Sequence, residues 1–527
     1  VGATPDETVT TDDPMTGETK MTTHAHARLV DRPAPTAMAG PAPYGGFTGQ
    51  YIAGDFRPGR SPDTWEDRDP YTSQVVAKLR LADRSDLDEA YRSAERAQVA
   101  WAESRPAERG SIFLSAVRIL DARRDEILSW LVKEAGSTRQ KAVAELSFVR
   151  GNMLWASTLA YRTAGRILPI DIPGKESRVY RRPLGVVGVI SPWNFPMVLS
   201  NRSIAPALAL GNAVVVKPAD DTPITGGLLL AKIYEEAGLP KGLVNIVVGE
   251  VAEIGDAFTL HPTPKLISFT GSTRVGKHIG ALAMTGPALK RVALELGGNS
   301  PLVVLDDADL DRALDAAIFG RFFHQGQICM SANRIIVDGS VYDEFTERFI
   351  ARARALKVGD PNAADTAIGP IINKRQLDAV MKRIADARRA GLRQVLGGDP
   401  HGQVLPPHVF VDVPNDSEFA QAEQFGPVAM LIRAEGEAEA LRLANQTEYG
   451  LSSAVFTRNE ERGVRFGLQV DAGMTHVNDS TVNDDSNNMF GGEKNSGLGR
   501  FGGDWVLSEM TTDHWVTVQK QPARYPF

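Results

Sequence analysis

Between residues 185 and 270, four short apolar runs alternate with three helix-length segments, and this alternation constrains the fold more than any other feature of the chain. The runs 186–190, 213–216, 243–248 and 266–269 are rich in Val, Ile and Leu and contain no charged residue. Runs so short and so uniformly apolar suit strands buried on both faces. The segments 197–210, 222–237 and 251–260 between them have the length and composition of helices. A β-α-β-α-β-α-β order predicts an α/β fold with a parallel sheet covered by helices. Ligands of such sheets sit beyond the carboxyl ends of the strands. The residues that follow each run are therefore the first candidates for a site.

Those residues are polar or small at all four ends. Ser191, Pro192, Trp193, Asn194, Phe195 and Pro196 follow the first run. Two prolines fix this turn, and the Asn194 amide can donate into a cleft or cap the next helix. Lys217, Pro218, Ala219 and Asp220 follow the second. The lysine suits a phosphate and the aspartate suits ribose hydroxyls, with a solvated surface pair as the plainer alternative. Gly249 follows the third run, and the segment 270–278, Thr-Gly-Ser-Thr-Arg-Val-Gly-Lys-His, follows the fourth. Glycines that open a helix let backbone amides approach a pyrophosphate at the positive helix end. The stretch falls one residue short of a phosphate-binding G-x-x-x-x-G-K-[ST] loop. His278 stands where a magnesium-binding hydroxyl belongs, so an ATP-hydrolysing enzyme is the poorest assignment.

Two residues further along carry potential reactivity. Cys329 is the only cysteine, which excludes an intrachain disulfide and a multi-thiolate metal site. It is then a buried spectator or a nucleophile. Glu295 lies in an apolar, strand-like run. Burial would raise its pKa and make it a usable general base, whereas bonding to the following Gly297-Gly298 turn would make it structural. Composition narrows the function classes: net charge is −7 and the pI near 5.8, so no basic face for nucleic acid is expected. No apolar run approaches the ~20 residues that a spanning helix needs. A lone cysteine also fits a reducing compartment, and a cytoplasmic protein is expected.

Taken together and in order, the segments 191–196, 211–219, 269–272, 295–298, 326–329, 425–427 and 490–497 resemble the NAD(P)-dependent aldehyde dehydrogenase superfamily. The resemblance runs from about residue 50 to the carboxyl terminus, and 476–484 is similar to the benzaldehyde- and vanillin-type branch. It implies an aldehyde dehydrogenase-like α/β fold. Residues 46–165 and 184–295 would form a Rossmann-type cofactor domain, 296–506 an α/β catalytic domain, and 166–183 with 507–527 a small β oligomerisation arm, behind a flexible tail over 1–45. Cys329 would be the nucleophile, Glu295 the general base, and Asn194 with the Cys329 amide the oxyanion hole. Ser191, Pro192, Trp193, Lys217, Ala219, Asp220, Gly249, Phe269, Gly271, Ser272, Val275, Gly276, Leu296, Gln376, Glu423 and Phe425 would hold the cofactor. Asn194, Phe195, Arg202, Ile328, Met330 and Phe490 would face the substrate, and no metal is expected.

The implied reaction oxidises an aldehyde, aromatic by the branch resemblance, to its acid through a cysteine thiohemiacetal and a thioester. Glu295 favours hydrolysis of that thioester over transfer to coenzyme A. Asp220 stands where NAD-preferring members carry Glu, so NAD is expected, with NADP as the alternative. A homodimer or homotetramer is implied as well. A non-catalytic protein of the same fold is the competing assignment, and the presence of Cys329, Glu295 and Asn194 speaks against it.

Several local expectations accompany this. Residues 85–165 should be helical, capped by Ser85 or Asp86, with a helical segment from 109 to 135 ended by Gly136. Residues 166–183 should be extended about a Pro173-Gly174 turn and pair with another subunit, and the strand-like 512–519 should join a partner's arm. Arg202 replaces a residue that lines the aldehyde entrance in relatives. Asp484 and Asp485 should be solvated loop residues.

Overall fold

The four runs become neighbouring strands of one sheet in the computed structural model, which describes residues 42–527. Strands Val186–Ile190, Ala213–Lys217, Val244–Ile246 and Leu266–Thr270 are all parallel, joined by Arg291–Glu295. The first of them is central. The chain builds outward on one side for two strands, then crosses to the other side. The order therefore reverses between Val186–Ile190 and Leu266–Thr270, and a crevice opens there at the carboxyl ends. The third strand is shorter than its apolar run, with only Val244–Ile246 in the ladder. Of the connecting helices, Pro196–Ala209 is buried on every side. The other two each begin with a π-helical turn, Ile224–Leu228 and Val251–Gly255. Antiparallel strands Gln50–Ile52, Asp55–Arg57 and Gly497–Leu498 complete the edges.

A second sheet has seven strands, and all but the antiparallel Arg393–Leu396 run parallel. Strand Arg291–Glu295 ends the first sheet's parallel run, and Ser300–Val304 enters the second only five residues later. Glu295 thus lies at a carboxyl end in one sheet, and Cys329 lies just before the amino end of Ala332–Asp338 in the other. Each sheet buries its own apolar residues, in one cluster on the first and two on the second.

Helices Arg84–Ala102, Pro106–Ala122, Arg124–Ala135 and Arg139–Leu159 pack beside the first sheet. The cap of the first is Asp83, not Ser85 or Asp86. Asp83 accepts from both of their amides, and Asp86 reciprocates from the third helical position. The 109–135 segment divides at Arg123, whose backbone (φ −105°, ψ 19°) leaves the helical range. Gly136 ends the third helix in the left-handed conformation at φ 60°, as expected.

The tail expected over residues 1–45 lies mostly outside the described residues. Residues 43–45 do not behave as tail: the Arg123 guanidinium stands 3.7 Å from the centre of the Tyr44 ring, and the Tyr44 hydroxyl donates to Glu236. The arm expectation also needs correction. Strand Lys175–Pro183, after Gly174 at φ 73°, pairs along nine positions with Thr511–Gln519 of the same chain. The strand predicted to join a partner completes its own arm, because the two segments match in length and register. Among the described residues, no helix is long and apolar enough to cross a membrane.

Candidate active site

The loop that carries the thiol is built under strain. After helix Leu310–Phe322 the chain turns through His324 (φ 50°), Gln325 (φ 57°) and Gly326 (φ 71°), all in the left-handed region. Two of these residues have side chains that disfavour it, so the surroundings must enforce the turn. Gln325 donates to the carbonyls of Pro370 at 2.9 Å and Gly136 at 3.2 Å. Arg321, fully buried, donates to the carbonyls of Gly326 at 3.1 Å and Gly426 at 2.7 Å, and to Asn333 Oδ1 at 3.0 Å. A Cβ at Gly326 would lie 2.3 Å from both Arg321 and the Gly426 oxygen, so no other residue fits. The Asn194 amide then fastens the loop from the first sheet, donating to the Gln327 carbonyl at 2.9 Å. One of its two amide hydrogens remains for another acceptor.

Glu295 is 2% exposed, and neither carboxylate oxygen has a hydrogen-bond partner. The structural role is therefore taken elsewhere: the Gly298 amide donates to Glu423 at 2.9 Å. Burial pushes Glu295 up to about 8, against the pull of Arg202 and Arg500, with Asp484 adding to the rise. The turn after Glu295 lies directly on the thiol loop, since a Cβ at Gly298 would sit 2.0 Å from the Cys329 carbonyl oxygen. Cys329 is pushed up to about 12 by burial, then by Glu423 and Glu295, while Arg202 and the Met330 amide oppose. At neutral pH the site holds a thiol and a mostly protonated acid.

Cys329, Asn194 and Leu199 form the wall shared by two cavities. The first, about 260 Å³, sits where the strand order reverses. Pro192, Trp193, Gly271, Ser272, Leu296, Gln376, Glu423 and Phe425 line it, all of them cofactor candidates. Ser191, Lys217, Ala219, Asp220, Gly249, Phe269, Val275 and Gly276 are not among its lining residues. Several of these support it instead. Ser272 caps helix Thr273–Thr285 by accepting from the Val275 amide at 3.4 Å. Gly271 lies against the Phe269 ring and Gly276 against Leu296, where a Cβ would come within 2.5 and 2.3 Å. Gly249 packs on Ile254 and Ser191 bonds Ser200. Lys217 is buried, not a surface residue, and pairs with Asp220 at 3.0 Å. A capped helix amino end, a glycine at its entry and a crevice at the switch point fit a dinucleotide.

The second cavity, about 350 Å³, is lined by Phe195, Arg202, Ile328, Met330 and Phe490, all substrate candidates. Phe148, Phe319 and Phe323 also line it and were not foreseen. They sit on or beside helices, where a phenylalanine carries no signal that separates it from core. Asp484 was expected to be solvated but forms an ion pair with Arg202 on the cavity wall, because the buried guanidinium needs a counter-charge. The guanidinium also lies 3.9 Å from the centre of the Phe490 ring. Asp485 is exposed, as expected.

Comparison with known proteins identifies the family. The aldehyde dehydrogenase family model matches residues 56–516. A vanillin dehydrogenase of Corynebacterium glutamicum is 50% identical over 473 residues, covering 90% of this chain and 98% of that one. The benzaldehyde dehydrogenase YfmT of Bacillus subtilis is 48% identical over 91% of this chain and 98% of its own. The crystal structure of an NAD-dependent benzaldehyde dehydrogenase from Corynebacterium glutamicum superposes with a TM-score of 0.85 at 46% identity, covering 92% and 99% of the two chains. The chain belongs to the aldehyde dehydrogenase family.

Proposed function

We propose that this enzyme oxidises an aromatic aldehyde to the carboxylic acid with NAD, using Cys329 as nucleophile, Glu295 as general base and Asn194 as oxyanion donor. The observation that carries this is the shared wall: the thiol and the amide stand between a crevice at the switch point and a cavity lined by phenylalanine rings. The vanillin and benzaldehyde activities named for the relatives support an aromatic substrate. Flat apolar walls suit a ring, and the half-buried Arg202–Asp484 pair offers polar contacts to its substituents.

Each residue's task follows from its environment. The aldehyde carbon cannot release hydride easily until it is tetrahedral, and addition of the sulfur makes it so. The sulfur's proton passes to the ionised Glu295, present in about one molecule in ten at pH 7. That transfer is uphill, because burial holds the thiol above the acid. Asn194 donates its remaining amide hydrogen to the new oxyanion. Gly271, Ser272 and the amino end of helix Thr273–Thr285, with Leu296, Gln376, Glu423 and Phe425, would hold the dinucleotide, and Lys217 with Asp220 would meet its ribose. NAD, when bound, supplies the hydride acceptor. Once that first proton has left for bulk water, Glu295 draws a second from the water that attacks the thioester, and the departing sulfur takes it up as the acid is freed.

Purified enzyme should reduce NAD with benzaldehyde or vanillin, and Cys329→Ala should abolish turnover while leaving NAD binding intact. Failure of both aldehydes, or turnover by the Cys329→Ala protein, refutes the assignment. Asp220 is one methylene shorter than the Glu of NAD-preferring members, so its repulsion of a 2′-phosphate is weaker but still present, and NADP is the slower alternative. On this assignment residues 46–165 and 184–295 hold the cofactor, 296–506 supply the thiol, and the arm joins subunits of a homodimer or homotetramer in the cytoplasm. Exposed Ile167, Tyr180 and Trp515 on the arm support a contact between subunits there.

A further inference from the structure

The helix Pro196–Ala209 starts two residues after Asn194, and its own sequence does not cap it. Proline fills its first turn, and Phe195 at the cap position has no hydrogen-bonding side chain. The amides of Met197 and Val198 instead donate to one oxygen of Glu145, at 2.9 and 3.3 Å. Glu145 belongs to a different helix, Arg139–Leu159, and is fully buried. Its other oxygen accepts from Lys141, equally buried, which also donates to Ser137 at 3.0 Å. The Lys141 ammonium stands 4.3 Å from the centre of the Phe195 ring, and that ring packs edge-on against His324 at 5.4 Å. The ion pair therefore holds the start of the helix that follows Asn194, and the Phe195 ring beneath it borders the strained loop that leads to Gln327.

Two charges withdrawn from water return little net stability. What they provide here is a rigid acceptor at the positive end of a helix. We infer that Glu145, oriented by Lys141, is a positioning residue that holds the Asn194 amide where the oxyanion forms. The inference rests on the proposed role of Asn194. A displacement of about 1 Å at such a donor can cost about 10²-fold in rate, and outright loss of one costs about 10²–10³-fold.

The test compares steady-state oxidation of benzaldehyde with alkylation of Cys329 by iodoacetamide, a reaction that forms no oxyanion. Glu145→Ala should lower kcat about 10- to 100-fold, with KM for NAD and the alkylation rate changed less than about 3-fold. In an Asn194→Ala background the same substitution should lower kcat less than about 3-fold, because the donor it positions is gone. The pair Lys141→Met with Glu145→Gln keeps a neutral acceptor and leaves no unpaired charge, and should restore kcat to within about 5-fold of the parent. A full effect of Glu145→Ala in the Asn194→Ala background overturns the inference, as does an equal loss of alkylation. If Glu145→Ala does not fold, the pair Lys141→Met with Glu145→Leu, which removes the acceptor and leaves no unpaired charge, decides: a fall in kcat of about 10-fold or more that disappears in the Asn194→Ala background supports the inference, and near-parental kcat overturns it. A parent enzyme that oxidises no aldehyde would refute the function itself, whereas additivity in an active parent removes only this positioning role.

Discussion

Replacing Glu295 with Gln should make the protein more stable while it destroys activity, and the gain should grow with pH. The carboxyl has a reference pKa of 4.5 and is pushed up to about 8 by burial, with neither oxygen hydrogen-bonded. Between those values the unfolded chain binds fewer protons than the folded one, so the wild type loses stability as pH rises through the window. The loss is about 1 kcal/mol at pH 5, about 3 at pH 7 and about 5 at pH 9, where it levels off above the folded value. Gln cannot ionise, so it escapes this penalty. An unfolding entropy of about 2 cal/mol/K per residue makes about 1 kcal/mol correspond to 1 °C for a chain of this length. The Tm difference between Glu295→Gln and wild type should therefore widen by about 4 °C from pH 5 to pH 9. Thermal melts of both proteins at pH 5, 7 and 9 measure this directly. A difference that stays constant or shrinks with pH would show that Glu295 has an ordinary pKa and cannot be the tuned base proposed here.

Three further outcomes follow from the same geometry. Because the base acts ionised, kcat at saturating aldehyde should rise with pH and level off above about 8, about tenfold higher than at pH 7, in a steady-state pH profile. Arg202→Leu removes a charge that lowers both Glu295 and Cys329 and leaves Asp484 unpaired on the cavity wall, so the rising limb of that profile should move to higher pH. Gly298→Ala places a methyl 2.0 Å from the Cys329 carbonyl oxygen, which must shift the thiol loop. Thermal melts should show a cost of about 1–3 kcal/mol, and kcat should fall at least about tenfold with NAD affinity little changed.

The sequence by itself determined what is encoded in contiguous residues. Apolar runs without charges became the parallel strands, and Gly136 became the left-handed cap. Cys329 and Glu295 stood out as a lone thiol and a carboxylate in an apolar run, but composition left each open between a buried structural role and a reactive one, and only the ordered set of motifs resembling a known family favoured reactivity. Long-range pairing was not legible. Whether Glu295 braced its own turn depended on where the Gly298 amide pointed, and the tertiary fold sent it to Glu423. Asp484 looked like solvated loop until Arg202, 282 residues away, took it as a counter-ion. Glu145 had no sequence signal, since the helix it caps begins 51 residues further on and on another element. Periodicity and turn chemistry act over a few residues and leave their marks in composition. Electrostatic partners and cavity walls are chosen by folding, which places the carboxyl end of one sheet against the amino end of another.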